Sequence, residues 1–269
     1  MRLALLPSAL LVLSALVCLP CAATLNDAQA VNVSGMQRML SMRIAKNYLM
    51  LGSQIRPEIA NQQLDQSLAL FEDNQQTLNS YAPTAQIKTA LAEDDELWQR
   101  YRHLALSPPS KAQALELLNL AEQLLAQCER TVSLIEKHSG NVANQQINRS
   151  GRQRMLSQRI AMLYIALSWR LPAAKLHEHF NHSVSEFDQA LSTLQQAPEN
   201  NAATHALLDK AQAQWQFSRS GFQLSDKDRF VPTLISTTSE TLLQQMQTLT
   251  QAYTELLQAQ AQSPSSLPH

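Results

Sequence analysis

Apolar residues recur along this chain at helical spacing, not in strand-like alternation. Met36, Met39, Leu40 and Ile44 form one such set, and Leu124, Leu125, Cys128 and Val132 form another; each follows the three-and-four-residue step of a helix face turned toward a core. Prolines and small polar residues punctuate the pattern. In the first half they predict helices near 26–55, 58–81, 84–106 and 110–138, broken at Pro57, at Ala82-Pro83 and at Ser107-Pro108-Pro109-Ser110, with Gly140 as the terminator. In the second half Pro172, Pro198 and the stretch 225–232 divide helices near 141–170, 173–196, 200–223 and 232–260. Long helices joined by short connections favour antiparallel neighbours. The predicted fold is therefore all-α, two tandem antiparallel four-helix bundles, each roughly 35 to 45 Å long.

The two halves are copies of one another. Asn32-Val33-Ser34-Gly35-Met36-Gln37-Arg38-Met39-Leu40-Ser41-Met42-Arg43-Ile44-Ala45 returns 116 positions later as Asn148-Arg149-Ser150-Gly151-Arg152-Gln153-Arg154-Met155-Leu156-Ser157-Gln158-Arg159-Ile160-Ala161. Tyr48 and Tyr164 keep that offset, as do Phe71 and Phe187, whereas Trp98 and Trp215 have moved by one residue, as a small loop change between equivalent helices would produce. The expected units are a module over 25–140, a second over 141–260, and a disordered tail over 261–269.

Composition agrees with helix: 5 glycines and 5% aromatic residues leave little sheet character, while a hydrophobic fraction of 45% is enough for real cores. Lys+Arg 21 against Asp+Glu 22 gives a net charge of -1, so no global field draws the chain to nucleic acid or to an anionic membrane. The N-terminus reads as a targeting segment. Arg2 precedes an apolar run over 3–17, and Cys21-Ala22-Ala23 supplies small residues for cleavage, so 1–23 is expected to be a signal peptide and the mature protein periplasmic. Membrane attachment is expected only if that segment stays uncleaved. Cleavage leaves Cys128 as the single thiol, which excludes an intrachain disulfide and reads as a buried, inert side chain.

The candidate chemistry lies in the repeated motif. Ser34, Arg38, Ser41 and Ala45 fall on one helical stripe, as do Ser150, Arg154, Ser157 and Ala161. Small residues there admit another backbone, and the long arginine between them must enter the seam. Gly35 and Gly151 lie beside the stripe, where each costs about 1 kcal/mol relative to Ala unless something approaches closely. No Asp or Glu occurs between Asp27 and Glu58, or between Glu136 and Glu178, so the motif arginines lack local ion pairs. A buried guanidinium keeps its charge and needs a partner. That partner is either a bound planar oxyanion or an acidic side chain from another helix, such as Glu72, Asp73, Glu122 or Glu186. Asn32, Gln37, Ser34 and Ser41, with Asn148, Gln153, Ser150 and Ser157, are placed to add neutral hydrogen bonds to an anion. Arg43 and Arg159 read equally as secondary ligands or as salt-bridge residues.

Residues 32–43 and 148–159 resemble the sensor domain of type IV pilus chemotaxis transducers, the PilJ-type domain, whose first helix carries Asn-x-x-Gly-x-Gln-Arg-Met-Leu-Ser-x-Arg. They are similar, more distantly, to the helix with which nitrate/nitrite sensor kinases bind nitrate across a homodimer axis. The resemblance implies a sensory function with nitrate or nitrite as ligand and Arg38 and Arg154 as its principal contacts. Because no second span, coiled coil or kinase segment follows the second module, the expected role is a soluble binding or adaptor protein that serves a separate membrane receptor, sensor kinase or transporter. Bringing the two motif helices together about a pseudo-two-fold axis would form one shared anion site per chain.

Other functions fit less well. There is no G-x-S-x-G, P-loop or H-E-x-x-H, so no enzyme class or catalytic residue is suggested. His177, Glu178, His179 and His182 have helical spacing for a metal, yet they have no counterpart in the first repeat and read as a solvated helix start; no cofactor is expected. A ligand-free helical interaction module remains the first alternative and a metal- or haem-binding helical bundle the second, the latter without a C-x-x-C-H site for covalent haem.

Overall fold

The computed structural model describes residues 25–141, 144–222 and 229–262. The signal peptide expected over 1–23 and the tail beyond 262 lie outside the described residues. Eight helices account for nearly all of what is described: α1 (Asp27–Gly52), α2 (Pro57–Tyr81), α3 (Ala85–Ala105), α4 (Lys111–Ser139), α5 (Asn144–Ser168), α6 (Leu176–Gln195), α7 (Ala202–Phe222) and α8 (Pro232–Gln262). No strand occurs among them.

Local chemistry sets most boundaries. Asn26 and Gln29 form a capping box at α1, while Thr84 and Ser110 accept from the backbone N–H of Ile87 and Gln113 to start α3 and α4. Pro57 opens α2, and Gly140, with φ 61°, ends α4 in the left-handed region. Helix α1 stops at Gly52, three residues before the expected end, because Gln54 and Arg56 take positive φ. Helix α6 begins at Leu176, later than Pro172 suggests, because Arg170 and Lys175 do the same.

Within each repeat the first helix packs on the second and the fourth, and the third packs on the fourth. The second and third helices touch only lightly. Each repeat has its own aromatic centre: Phe71 stacks on Trp98 with ring centroids 3.9 Å apart, and Phe187 lies 4.2 Å from Trp215. The largest interface in the molecule, however, joins the repeats: α1 runs against α5, with α4 and α8 packed along the two sides of that pair. As a result α1 and α5 are buried on nearly every face, including their polar residues. Leu40 and Ile44 are fully buried and Met39 nearly so, while Met36 is only partly covered. Cys128 is buried in α4, and burial pushes its thiol well above the ordinary range, which keeps it protonated.

Candidate functional site: a paired-arginine seam

Arg38 and Arg154 are both 0% exposed, at the centre of the α1/α5 interface. A β-carbon added at Gly35 would lie 3.2 Å from Arg38 Nη2 and 3.3 Å from Arg154 Nη2. One added at Gly151 would lie 3.1 Å from Arg154 Nη2 and 3.4 Å from Arg38 Nη2. Both guanidinium groups therefore converge on the same spot between the two glycines. A methyl group at either position would crowd both charges, which gives a physical reason for glycine inside each helix.

The hydrogen bonds follow a pseudo-two-fold pattern. Arg38 Nη1 donates to Glu129 Oε2 on α4 at 2.6 Å, and Nη2 donates to Asn148 Oδ1 at 2.7 Å across the seam. Arg154 Nη1 donates to Gln247 Oε1 on α8 at 2.6 Å, and Nη2 donates to the Asn32 carbonyl at 3.2 Å. Glu129 and Gln247 occupy equivalent places on α4 and α8. The pattern is thus the same on both sides while the charge is not. No carboxylate contacts Arg154 among the described residues, and the Nε of both arginines and Asn32 Oδ1 are buried without a hydrogen-bond partner. Burial, reinforced by the charge of Arg38, lowers Arg154 to about 9. Burial would raise the Glu129 carboxyl, but Arg38 and then Arg152 outweigh it and hold it below the usual range.

The remaining motif residues divide by direction. Ser34, Ser41, Ser150 and Ser157 donate their hydroxyl protons to carbonyls of their own helix, so here they act as spacers that let the helices approach. Gln37 and Gln153 turn away from the seam and donate to the carbonyls of Phe71 and Phe187, fixing α2 and α6. Arg43 and Arg159 make exchanged ion pairs: Arg43 binds Glu240 on α8 of the second repeat, and Arg159 binds Glu122 on α4 of the first, at 2.6 and 3.0 Å. Of the acidic partners considered from sequence, Glu72 binds Arg102, Glu186 binds Arg152 and Glu122 binds Arg159. None of these three meets Arg38 or Arg154.

Several members of the seam are not apparent from the motif. Glu129 joins Arg38 to Arg152, whose Nη1 lies 2.8 Å from Glu129 Oε1 and whose Nε bonds Glu186 on α6. Lys46 is fully buried between Gln158, at 2.8 Å, and Glu240. Burial lowers Lys46 and Glu240 counters part of this; the Glu240 carboxyl, despite its own burial, is held at about 2 by Lys46 and Arg43. Matching α4 onto α8 at an offset of 118 residues would have exposed the Glu129/Gln247 difference, whereas Lys46 and Gln158 face Met162 and Met42 in the repeat and carry no internal echo.

The family description "Type IV pili methyl-accepting chemotaxis transducer N-term" (PilJ) matches residues 22–124 and again residues 138–268. The chain belongs to this PilJ family. One matched segment falls in each repeat, as two tandem PilJ copies would give, the first ending within α4, and the seam is where the first helices of the two copies meet. Membership makes it a sensory module related to chemotaxis transducers. The likeness to nitrate sensor kinases rests on the motif alone. Neither the curated proteins nor the solved structures compared with the chain match it. Among the described residues no helix is long and apolar enough to cross a membrane, and no group of three or more His, Cys, Asp or Glu side chains is placed to hold a metal. His182 is exposed and lies 4.0 Å from Glu186.

Proposed function

We propose that this protein is an exported, periplasmic PilJ-type sensor that binds one small planar oxyanion, nitrate or nitrite, between Arg38 and Arg154 and passes occupancy to a separate signalling partner. The observation that carries the reading is Arg154: a fully buried cation beside a second buried cation, with a neutral glutamine where Arg38 has a carboxylate. Such a charge is costly to hold in a protein interior, and a fork of N–H donors is the natural partner of a planar oxyanion. A bound anion relieves the repulsion between the guanidinium groups and can accept from the unpartnered Nε atoms, drawing α1 and α5 together. Because those helices carry α4 and α8 with them, occupancy reaches the outer helices of both repeats.

The site performs no bond chemistry in this reading; its output is a change in helix packing. Calorimetric titration of the mature protein with nitrate and nitrite should give one anion per chain, with Arg38→Ala and Arg154→Ala each abolishing most binding and the double variant losing little more. Two independent anions per chain, or unchanged affinity in either variant, would overturn the shared site. A ligand-free interaction module is favoured by one observation, the complete pairing of Arg38 Nη1 and Nη2 by Glu129 and Asn148. The absence of any thermal stabilisation by nitrate would select that reading.

A further inference from the structure

Among the described residues, Glu129 and Gln247 are the side chains through which α4 and α8 contact the two guanidinium head groups, and they are chemically unequal. Both accept from Nη1 of their arginine at 2.6 Å, one from the fourth helix of each repeat. A carboxylate oxygen on a guanidinium Nη has the chemistry of the oxyanion proposed above. We propose that Glu129 is a tethered competitor for the anion: it occupies the Arg38 half of the site, must be displaced or shared when ligand enters, and sets the ligand class to monoanions. This inference rests on the anion-sensor reading and specifies how that same site is regulated.

The charge count supplies the selectivity. Two guanidinium groups against one contacting carboxylate leave a single positive charge in excess at the seam. One nitrate or nitrite neutralises it. A dianion such as sulfate would add a buried net negative charge, which a low-dielectric interior opposes. Gln247 leaves the Arg154 half free of competition, so the anion enters there first and meets Glu129 second.

Glu129 is also built to yield. Its side chain is 35% exposed, unlike the arginine it contacts, and its other oxygen is held by Arg152, whose counterpart in the first repeat is Met36. Released from Arg38, the carboxylate remains anchored on Arg152, which also binds Glu186 on α6. Ligand entry therefore redistributes one charge from the buried seam toward the place where α4 of the first repeat meets α5 and α6 of the second, and the equivalent junction of α8 with α1 and α2 has no such relay, because Met36 stands where Arg152 would be. The signalling output of a two-fold-like sensor becomes one-sided.

The test compares the full mature chain with Glu129→Gln and Gln247→Glu by titration with sodium nitrate and sodium sulfate. Glutamine already occupies the equivalent place in the second repeat, so the first variant keeps shape and hydrogen bonding. Glu129→Gln is expected to bind nitrate about ten- to a hundred-fold more tightly, the worth of one charge-assisted hydrogen bond, and to gain sulfate binding that the wild type lacks. Gln247→Glu gives each arginine its own carboxylate and should abolish nitrate binding while raising thermal stability without ligand. Nitrate affinity that is unchanged in both variants, with binding in the wild type, would overturn the tethered-competitor role and leave the anion-sensor reading standing. No binding of either anion to the wild type or to Glu129→Gln would overturn both.

Discussion

Replacing Arg154 by methionine separates a strained functional charge from a structural one. The substitution retains an unbranched apolar stem in the α1/α5 seam and removes the charge. Burial and the neighbouring Arg38 bring Arg154 down from the ordinary guanidinium range to about 9, and that gap corresponds to at most about 5 kcal/mol of native-state penalty. Below about pH 9 the guanidinium is charged in folded and unfolded chains alike, so the whole penalty is present at neutral pH. It is relieved only as the pH rises from about 9 toward the unfolded value. Against this gain, methionine leaves Gln247 Oε1 and the Asn32 carbonyl without their donor, at about 1 to 3 kcal/mol each. With the two acceptors at the middle of that range, about 4 kcal/mol together, a net stabilisation of about 1 kcal/mol remains. In a domain of this size that raises Tm by about 2 to 4 °C per kcal/mol. Thermal melts with and without nitrate provide the assay. The variant should melt above the wild type without ligand and ignore nitrate, while the wild type gains stability from it. If the ligand-free variant melts below the wild type, Arg154 holds the seam together through its hydrogen bonds, and the strained-cation argument fails.

Two further outcomes follow from buried charges elsewhere. Asp94 is buried against Thr131, and desolvation raises its carboxyl from 3.8 to about 7, so its own contribution to native stability is most favourable below about pH 4 and falls by up to about 4 kcal/mol between about pH 4 and pH 7. Asp94→Asn should remove most of that slope in urea denaturation; an unaltered slope would assign it to another group. Glu240→Gln leaves Lys46 buried without its carboxylate and should cost about 3 to 5 kcal/mol, whereas the equivalent Glu122→Gln, which touches only Arg159 at a more exposed place, should cost about 1. Because Glu240 is held at about 2, its contribution is present above the ordinary carboxylate range and disappears as the pH falls toward 2, which acid denaturation of the two variants can resolve. Equal losses in the two variants would show that Lys46 does not depend on Glu240.

The eight helices, their duplication and the family were legible in the chain itself, because helix periodicity, proline punctuation and a long repeated motif are local signals. Arg38 and Arg154 were legible as well, since the absence of acidic residues around them is a property of sequence windows that no tertiary contact alters. Pairing is different in kind. Helix propensity says that α1 forms, its stripe of Ser34, Ser41 and Ala45 with Gly35 beside it says that something comes close, and the duplication points to the other motif helix; the packed molecule shows that the neighbour is indeed α5. Once that choice is made, α4 and α8 fall on either side, Glu129 reaches Arg38 and Gln247 reaches Arg154. The exchange of Arg43 and Arg159 between repeats follows from the same packing. Those partners lie about ninety to two hundred residues from their arginines for Arg38, Arg43 and Arg154, and 37 residues away for Arg159. Contacts at such separations depend on how helices stack, and stacking is decided by the fit of whole surfaces. For that reason the sequence alone determined which charges needed a partner, and the tertiary structure decided that one of them received a carboxylate and the other a neutral amide.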